Sequence, residues 1–436
     1  LQHSQREHCR HHGRDFVTDA ELERAVRKVL LANVKEGYSS LLGQSYSYIA
    51  PSAEAYPFQF FWDTCFHVVI LARLGEYELA KRNFRSLFAM QEANGFVGHM
   101  IFWNQVLPRR RTDIIQARPS LESLRPHMSA LVQPPFAARA LLTLYQACGD
   151  RVYLGEMYAR VKRHHAWLAR NRDFEGDGLL TIVSPFESGM DWKPSYDEVL
   201  GYEDRRTPRR LWSSGLYWKG VGVDFSNFVR RYDLARIRKR ARFLVKDAGF
   251  NAIYASDLEC MEKLAPLTGD DPGIYRNLRH RVVESMLESM FDPHDAAFYD
   301  VWDPGSRRLT VRTPTILFPL AIAELDERIA EEMVVEHLDS NGFHVPLPIP
   351  SVERSDSAFF AGETPFLWRG PTWAFNNWFL YHALRARGFD RGADRLRSSL
   401  EKLVEQSGFR EYYDPIAGTG YGAPSFTWSG LLLDMS

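Results

Sequence analysis

The chain has 436 residues, 45% of them hydrophobic and 25% charged, values ordinary for a water-soluble globular protein. Lysine and arginine number 54 against 55 aspartates and glutamates, a formal net charge of −1, so no basic field draws in nucleic acid. No apolar run approaches the roughly 18–20 residues of a membrane span, and four cysteines without paired spacing (Cys9, Cys65, Cys148, Cys260) exclude a disulfide scaffold and lead us to expect a reducing, cytoplasmic compartment.

Residues 1–17 are polar and histidine-rich (His3, His8, His11, His12), with Cys9 among them. No second half of a metal site follows, so a flexible arm is expected there. From Thr18 the pattern turns helical. Thr18 can cap, Asp19 and Glu21 fall in the first turn, and Leu22, Val26, Val29, Leu30 and Val34 form one apolar stripe. Comparable stretches recur at 64–74, 76–93, 135–147, 151–170, 249–265, 272–290, 314–323, 326–338, 371–387 and 390–406, with a last one near the C-terminus. Turn signals separate them, among them Gly75, Asn94-Gly95, Gly149-Asp150, Gly269-Asp270 and Gly388. Strand-like pieces at 179–183 and 298–302 are short, without the strand–helix alternation of a parallel-sheet enzyme. Such a series predicts one all-α domain over 18–436, its helices closing as two concentric rings with loops gathered at one end. No constant repeat supports an open solenoid.

Three connections, 38–63, 94–133 and 193–232, are too long for turns, and loops of that length are functional or disordered. Tyrosine and tryptophan enrich the first and third, which favours order. These two are expected to act as lids, with Tyr48, Tyr56 and Gln59 closing from one side.

The chain has no phosphate loop, no H-E-x-x-H and no G-x-S-x-G elbow, and the acidic clusters of terpene cyclases are absent. What remains is a series of polar and aromatic clusters at helix ends. They are Gln59-Phe60-Phe61-Trp62-Asp63, Gln133-Pro134-Pro135, Glu187-Ser188-Gly189-Met190-Asp191-Trp192, Leu367-Trp368-Arg369-Gly370-Pro371-Thr372-Trp373, and Glu411 with Trp428. Singly, each has a structural explanation, such as a helix cap for Asp63 or a packed turn for Trp368 to Pro371. Together they set carboxylate, amide and guanidinium groups beside aromatic faces, the mixture that a sugar requires. If folding brings Asp191 and Glu411 face to face, they form the acid and base of a glycoside hydrolase.

On these residues, with Tyr412-Tyr413 and Gly422-Ala423-Pro424, the chain resembles glycoside hydrolase family 63 and, more distantly, the trehalases. The motifs keep their order from residue 62 to 428. The resemblance implies an (α/α)6 barrel and an inverting reaction, with Asp191 as general acid and Glu411 as general base. It also implies that Asp63, Gln133, Gly189, Trp368 and Arg369 hold the innermost sugar. Compact members of this kind resemble bacterial mannosylglycerate and glucosylglycerate hydrolases, whose substrates join a hexose to glycerate. The sequence departs from the family at Leu367, where an aromatic residue is usual.

Inversion needs a water between base and anomeric carbon, which sets the carboxyl groups roughly 6.5–9.5 Å apart. A free aspartate titrates near roughly 3.9, so Asp191 needs burial or a like charge to stay protonated. Glu187 is the expected neighbour and Trp192 the expected apolar wall. Glycerate brings a carboxylate that suits an arginine fork, and the third connection supplies Arg205, Arg206, Arg209, Arg210, Arg230 and Arg231 with Tyr217 and Tyr232. Of these, Arg231 and Tyr232 are candidates for the substrate site, together with Tyr56, Gln59 and Trp62. The expected partner is thus a small anionic sugar; neither metal nor organic cofactor is required, and a homodimer is the commonest assembly for such enzymes. Two alternatives stand beside this reading: hydrolysis of a neutral α-glucoside such as trehalose or an oligosaccharide, and a non-catalytic sugar-binding helical toroid.

Overall fold

The computed structural model describes residues 19–103, 127–302, 305–339 and 342–435. The expected N-terminal arm, the Thr18 cap and most of the 94–133 connection lie outside the described residues.

Six segments pack inward because they are apolar on nearly every side. The helix Phe61–Arg73 buries every residue from Phe61 to Ala72, and Ala248–Leu264 is buried along most of its length. In spatial order the inner elements are Phe61–Arg73, Ala137–Cys148, Ala248–Leu264, the 3-10 helix Pro314–Ala321, Ala374–Ala386 and the 3-10 helix Thr427–Met435. Each packs on the next, and the last returns to the first.

Most inner elements are followed in sequence by an outer partner. Tyr77–Ala89, Arg151–Arg172, Pro272–Ser289, Glu327–Val334 and Asp390–Ser407 lie against successive inner elements, and Asp19–Ala32 covers the C-terminal one. These carry a single buried stripe, as in Ala393, Leu396, Leu400, Leu403 and Val404, the spacing of a helix with one face in the core. Carboxylates of Asp150, Asp271 and Asp326 accept backbone N–H groups and start three of them.

The expected helices appear with ends shifted by a few residues, with three differences in type, one of them the 3-10 helix Thr427–Met435 at the C-terminus. Residues 314–321 wind as a 3-10 helix, since Pro314 and Pro319 withhold backbone donors. The 326–338 stretch is α-helical only to Val334 and continues as the π turn Val335–Asp339.

Two connections expected to be loops contain regular structure. The first holds most of an antiparallel hairpin that begins at Val34, a residue expected in the helical stripe, because the first helix ends at Ala32; it pairs Val34 with Ile49 and Ser39 with Gln44. The third holds the helix Gly215–Val229, capped by Ser214. Its three glycines and outward aromatic residues hide the helical period. The strand-like pieces meet in a four-stranded sheet, in the order Arg307–Leu309, Asp300–Trp302, Val245–Lys246, Thr181–Ile182. The last of these strands leads directly into the Asp191 turn.

Candidate active site

The turn that carries Asp191 is built by local chemistry. Ser184 accepts from the Phe186 N–H and starts a short 3-10 turn, with Pro185 at its first position. Gly189 then takes φ +72°, and a Cβ there would stand 2.3 Å from the Trp62 ring. Only glycine meets both demands. Asp191 follows, half-buried and facing the cavity.

Glu411 sits on the strand Arg410–Tyr413, which pairs with Gly420–Pro424. The register shifts between Arg410 and Tyr412, so a β-bulge falls at Glu411 and re-aims its side chain. The carboxylate is 5% exposed; it accepts from Tyr56 Oη at 2.7 Å and from the Ala423 N–H at 2.8 Å. Gly422 makes room, since a Cβ there would lie 2.5 Å from Glu411 Oε2.

Asp191 and Glu411 line one cavity of about 180 Å³, together with Tyr56, Trp62, Asp63, Gln133, Gly189 and Trp368. Asp63 lies in the first turn of its inner helix and is not the cap, a position held by Phe60. Burial, with the charge of Glu411 adding to it, pushes the Asp63 carboxyl up to about 7. Gln133 Oε1 accepts from the Trp62 N–H at 3.1 Å, which orients its amide. Trp368 stacks on Trp373 at 3.8 Å and 8°, giving a flat aromatic wall.

Six expected site residues are not brought to the cavity. Glu187 is fully buried in an ion pair with Arg172 and accepts from the Val132 and Val183 N–H groups. It holds the segment before Gln133 against the Asp191 turn and takes no part in the cavity lining. Arg369 is also buried, paired with Asp197 at 2.8 and 2.7 Å. Its position after Trp368 turns it away from the sugar wall and toward Trp192 and the 193–205 segment. Gln59 donates to Asn83 O at 3.0 Å and accepts from Trp103 Nε1 at 2.9 Å, which anchors a strand. Trp192, at φ +66°, packs behind the wall on Phe186, Tyr217 and Phe366. Tyr232 joins a separate apolar cluster with Leu131, Val183 and Ile237, and Arg231 is exposed beyond a helix end. The other expected arginines do no better: Arg205 pairs with Asp356 and Arg206 with Asp204. Among the described residues no lysine or arginine lines the cavity.

Sequence reasoning missed several wall residues, notably Phe58, His99, Met100 and Phe426. Most are apolar and indistinguishable in sequence from core positions. His99 is held by Ser129 Oγ at 2.5 Å, and burial pushes its imidazole down to about 3, so it is neutral.

A family model described as a mannosylglycerate hydrolase MGH1-like glycoside hydrolase domain matches residues 56–429. A mannosylglycerate hydrolase of Rubrobacter radiotolerans is 29% identical over 416 residues, 88% of this chain and 92% of that protein. A glucosylglycerate hydrolase of Mycolicibacterium hassiacum is 25% identical over 412 residues, 86% of this chain and 90% of that protein. The crystal structure of a GH63 mannosylglycerate hydrolase from Thermus thermophilus, in complex with Tris and D-glycerate, is similar with a TM-score of 0.81. It is 26% identical and covers 95% of this chain and 99% of that one.

Proposed function

Because the chain belongs to the MGH1-like glycoside hydrolases of family 63, we propose that it cleaves an α-linked hexosyl-glycerate to free hexose and glycerate. The protein is a glycosidase. Mannosylglycerate and glucosylglycerate, on which similar proteins are named to act, are the substrates of this reading. The observation that carries it is the meeting of Asp191 and Glu411, from opposite halves of the chain, in one cavity.

In this mechanism Asp191 gives a proton to the glycosidic oxygen as glycerate leaves. Glu411 takes a proton from a water that attacks the anomeric carbon from the other face, so the configuration inverts. The Tyr56 hydroxyl and Ala423 N–H hold the Glu411 carboxylate in place as the base. Trp62, Asp63, Gln133 and Trp368 surround the hexose. The closed order of inner-element contacts supports reading 18–436 as a single (α/α)6 catalytic domain.

The test is to incubate the protein with both glycosylglycerates and follow the first hexose anomer by proton NMR. The β anomer is expected first. Release of the α anomer first, or no hydrolysis of either compound, removes the proposal.

One observation favours a second reading. A cavity without a cationic side chain among its described lining residues suits a neutral leaving group. Glycosides in which glycerate is reduced to glycerol separate the two: equal kcat/KM for acid and alcohol forms selects the neutral reading.

A further inference from the structure

The helix Gly215–Val229 is amphipathic in the wrong sense for a surface helix. Its polar residues Asp224 and Asn227 point inward, while Trp218, Phe225, Phe228 and Val229 point out. Trp218, Gly222, Phe225 and Val229 follow one another at helical spacing along a single stripe. Trp212 extends the patch, since its carbonyl accepts from Trp218 Nε1. The exposures are 62% for Trp212, 55% for Trp218, 56% for Phe225, 38% for Phe228 and 64% for Val229.

At roughly 150–250 Å² for each aromatic side chain, these five leave on the order of 500 Å² of apolar surface in one place. That is near the top of the roughly 300–600 Å² found in the largest patch of a monomer. It is also most of the roughly 800 Å² that each partner supplies to a stable interface.

We propose that this face joins two copies of the chain in a two-fold homodimer, and that the contact steadies the turn carrying the proton donor. Two observations, beside the area, support a second copy as the occupant. The stripe itself carries no charge, and the exposed Lys219 beside it leans back toward Gly201, so apolar side chains form the meeting face. Gly222 lies mid-helix with no atom of the described residues within 4 Å of where its Cβ would be, so their packing does not require glycine there. An antiparallel crossing at Gly222 gives it a reason, because two backbones approach closely at a two-fold axis. The same crossing sets Trp218 of one copy over Phe225 of the other.

The inward side of the helix explains the coupling. Asp224 accepts from Ser184 Oγ at 2.6 Å, and Asn227 donates to Val183 O at 2.8 Å. Gly220 lies against Trp192, where a Cβ would come within 2.4 Å of the ring. These contacts bracket the Asp191 turn on both sides. Rings continue the path outward: Phe186 on the cavity wall meets Trp192 at 5.1 Å, Trp192 meets Tyr217 at 6.1 Å, and Tyr217 meets Trp218 at 5.0 Å.

Sedimentation of the full chain at micromolar concentration tests the interface. Wild type and Val152→Glu, an exposed change on another helix, are expected to be dimers. The pair Trp218→Glu with Phe225→Glu is expected to be monomeric with an unchanged circular dichroism spectrum. Gly222→Gln adds bulk where the chain itself leaves room, so it is expected to be monomeric with an equal or higher Tm. A monomeric wild type, or variants that remain dimers, overturns the interface. Both monomeric variants are expected to show a several-fold lower kcat with little change in KM; kcat equal to that of the dimer overturns the coupling. The kcat comparison rests on the substrate reading above, whereas sedimentation does not, so failure of one is told apart from failure of the other.

Discussion

Tyr56 and the Ala423 N–H each donate to one oxygen of Glu411, so the group is built to accept and not to donate. Glu411→Gln is therefore expected to abolish turnover whatever the leaving group. Asp191→Asn is expected to lose about 10²–10⁴ in kcat on a glycerate glycoside and far less on an aryl glycoside with an acidic leaving group. Equal residual rates for the two variants on both substrates would contradict these roles. Asp63 makes a prediction about stability. Its carboxyl titrates near about 7 in the fold and near roughly 3.9 in an unfolded chain. Between those values the native state binds more protons, so stability falls as pH rises through the window and levels off above it. Asp63→Asn should remove that fall, worth on the order of a few kcal/mol. Urea unfolding of both proteins near the two ends of the window checks it, and identical pH dependence refutes it.

At the scale of elements, a buried ion pair places the Asp191 turn. Glu187 ties Arg172 to the backbone before Gln133 and to the end of the strand Thr181–Ile182. Glu187→Gln breaks that pair without changing shape and is expected to cost roughly 3–5 kcal/mol, with kcat reduced as the Asp191 turn loosens. An unfolding midpoint within error of wild type would show that the pair does not hold the turn. These residues also show what sequence can and cannot reveal. Gly189 was legible as part of a motif, but its contact with Trp62 was not, because that contact joins an outer turn to an inner helix. Arg369 and Glu187 look like ligands in sequence because they adjoin residues that line the cavity, Trp368 and Phe186. Glu187 sits in a 3-10 turn and Arg369 in a bend, and each points away from the cavity toward its counterion, Arg172 and Asp197.

The whole molecule depends on closure of its inner order. Asp434, on the last inner element, accepts from Trp378 Nε1 at 2.8 Å, contacts His382 Nε2 at 2.9 Å and pairs with Arg73. It thereby joins the two inner helices beside it, and the C-terminal segment also carries Trp428 into the cavity wall. Asp434→Ala leaves the buried Trp378 and the half-buried His382 without their partner, and the exposed Arg73 without its ion pair, and is expected to cost about 1–3 kcal/mol. Thermal unfolding should show Tm lowered by several degrees with activity retained below the transition. An unchanged Tm would mean that apolar packing alone closes the ring.

Apolar period alone determined the helical class and the order of the long helices along the chain, and the likeness of its motifs to family 63 singled out Asp191 and Glu411. These are local properties: a stripe at helical spacing buries one face wherever it lands, and a helix apolar all round has to go inside. Only the folded chain decided which side of each motif faces the cavity. It sent Gln59, Glu187 and Arg369 into the scaffold, Trp192 behind the wall, and Arg231 and Tyr232 elsewhere. The reason is that a buried charge has to find its counterion, and the counterions Arg172 and Asp197 are brought into reach only by tertiary packing.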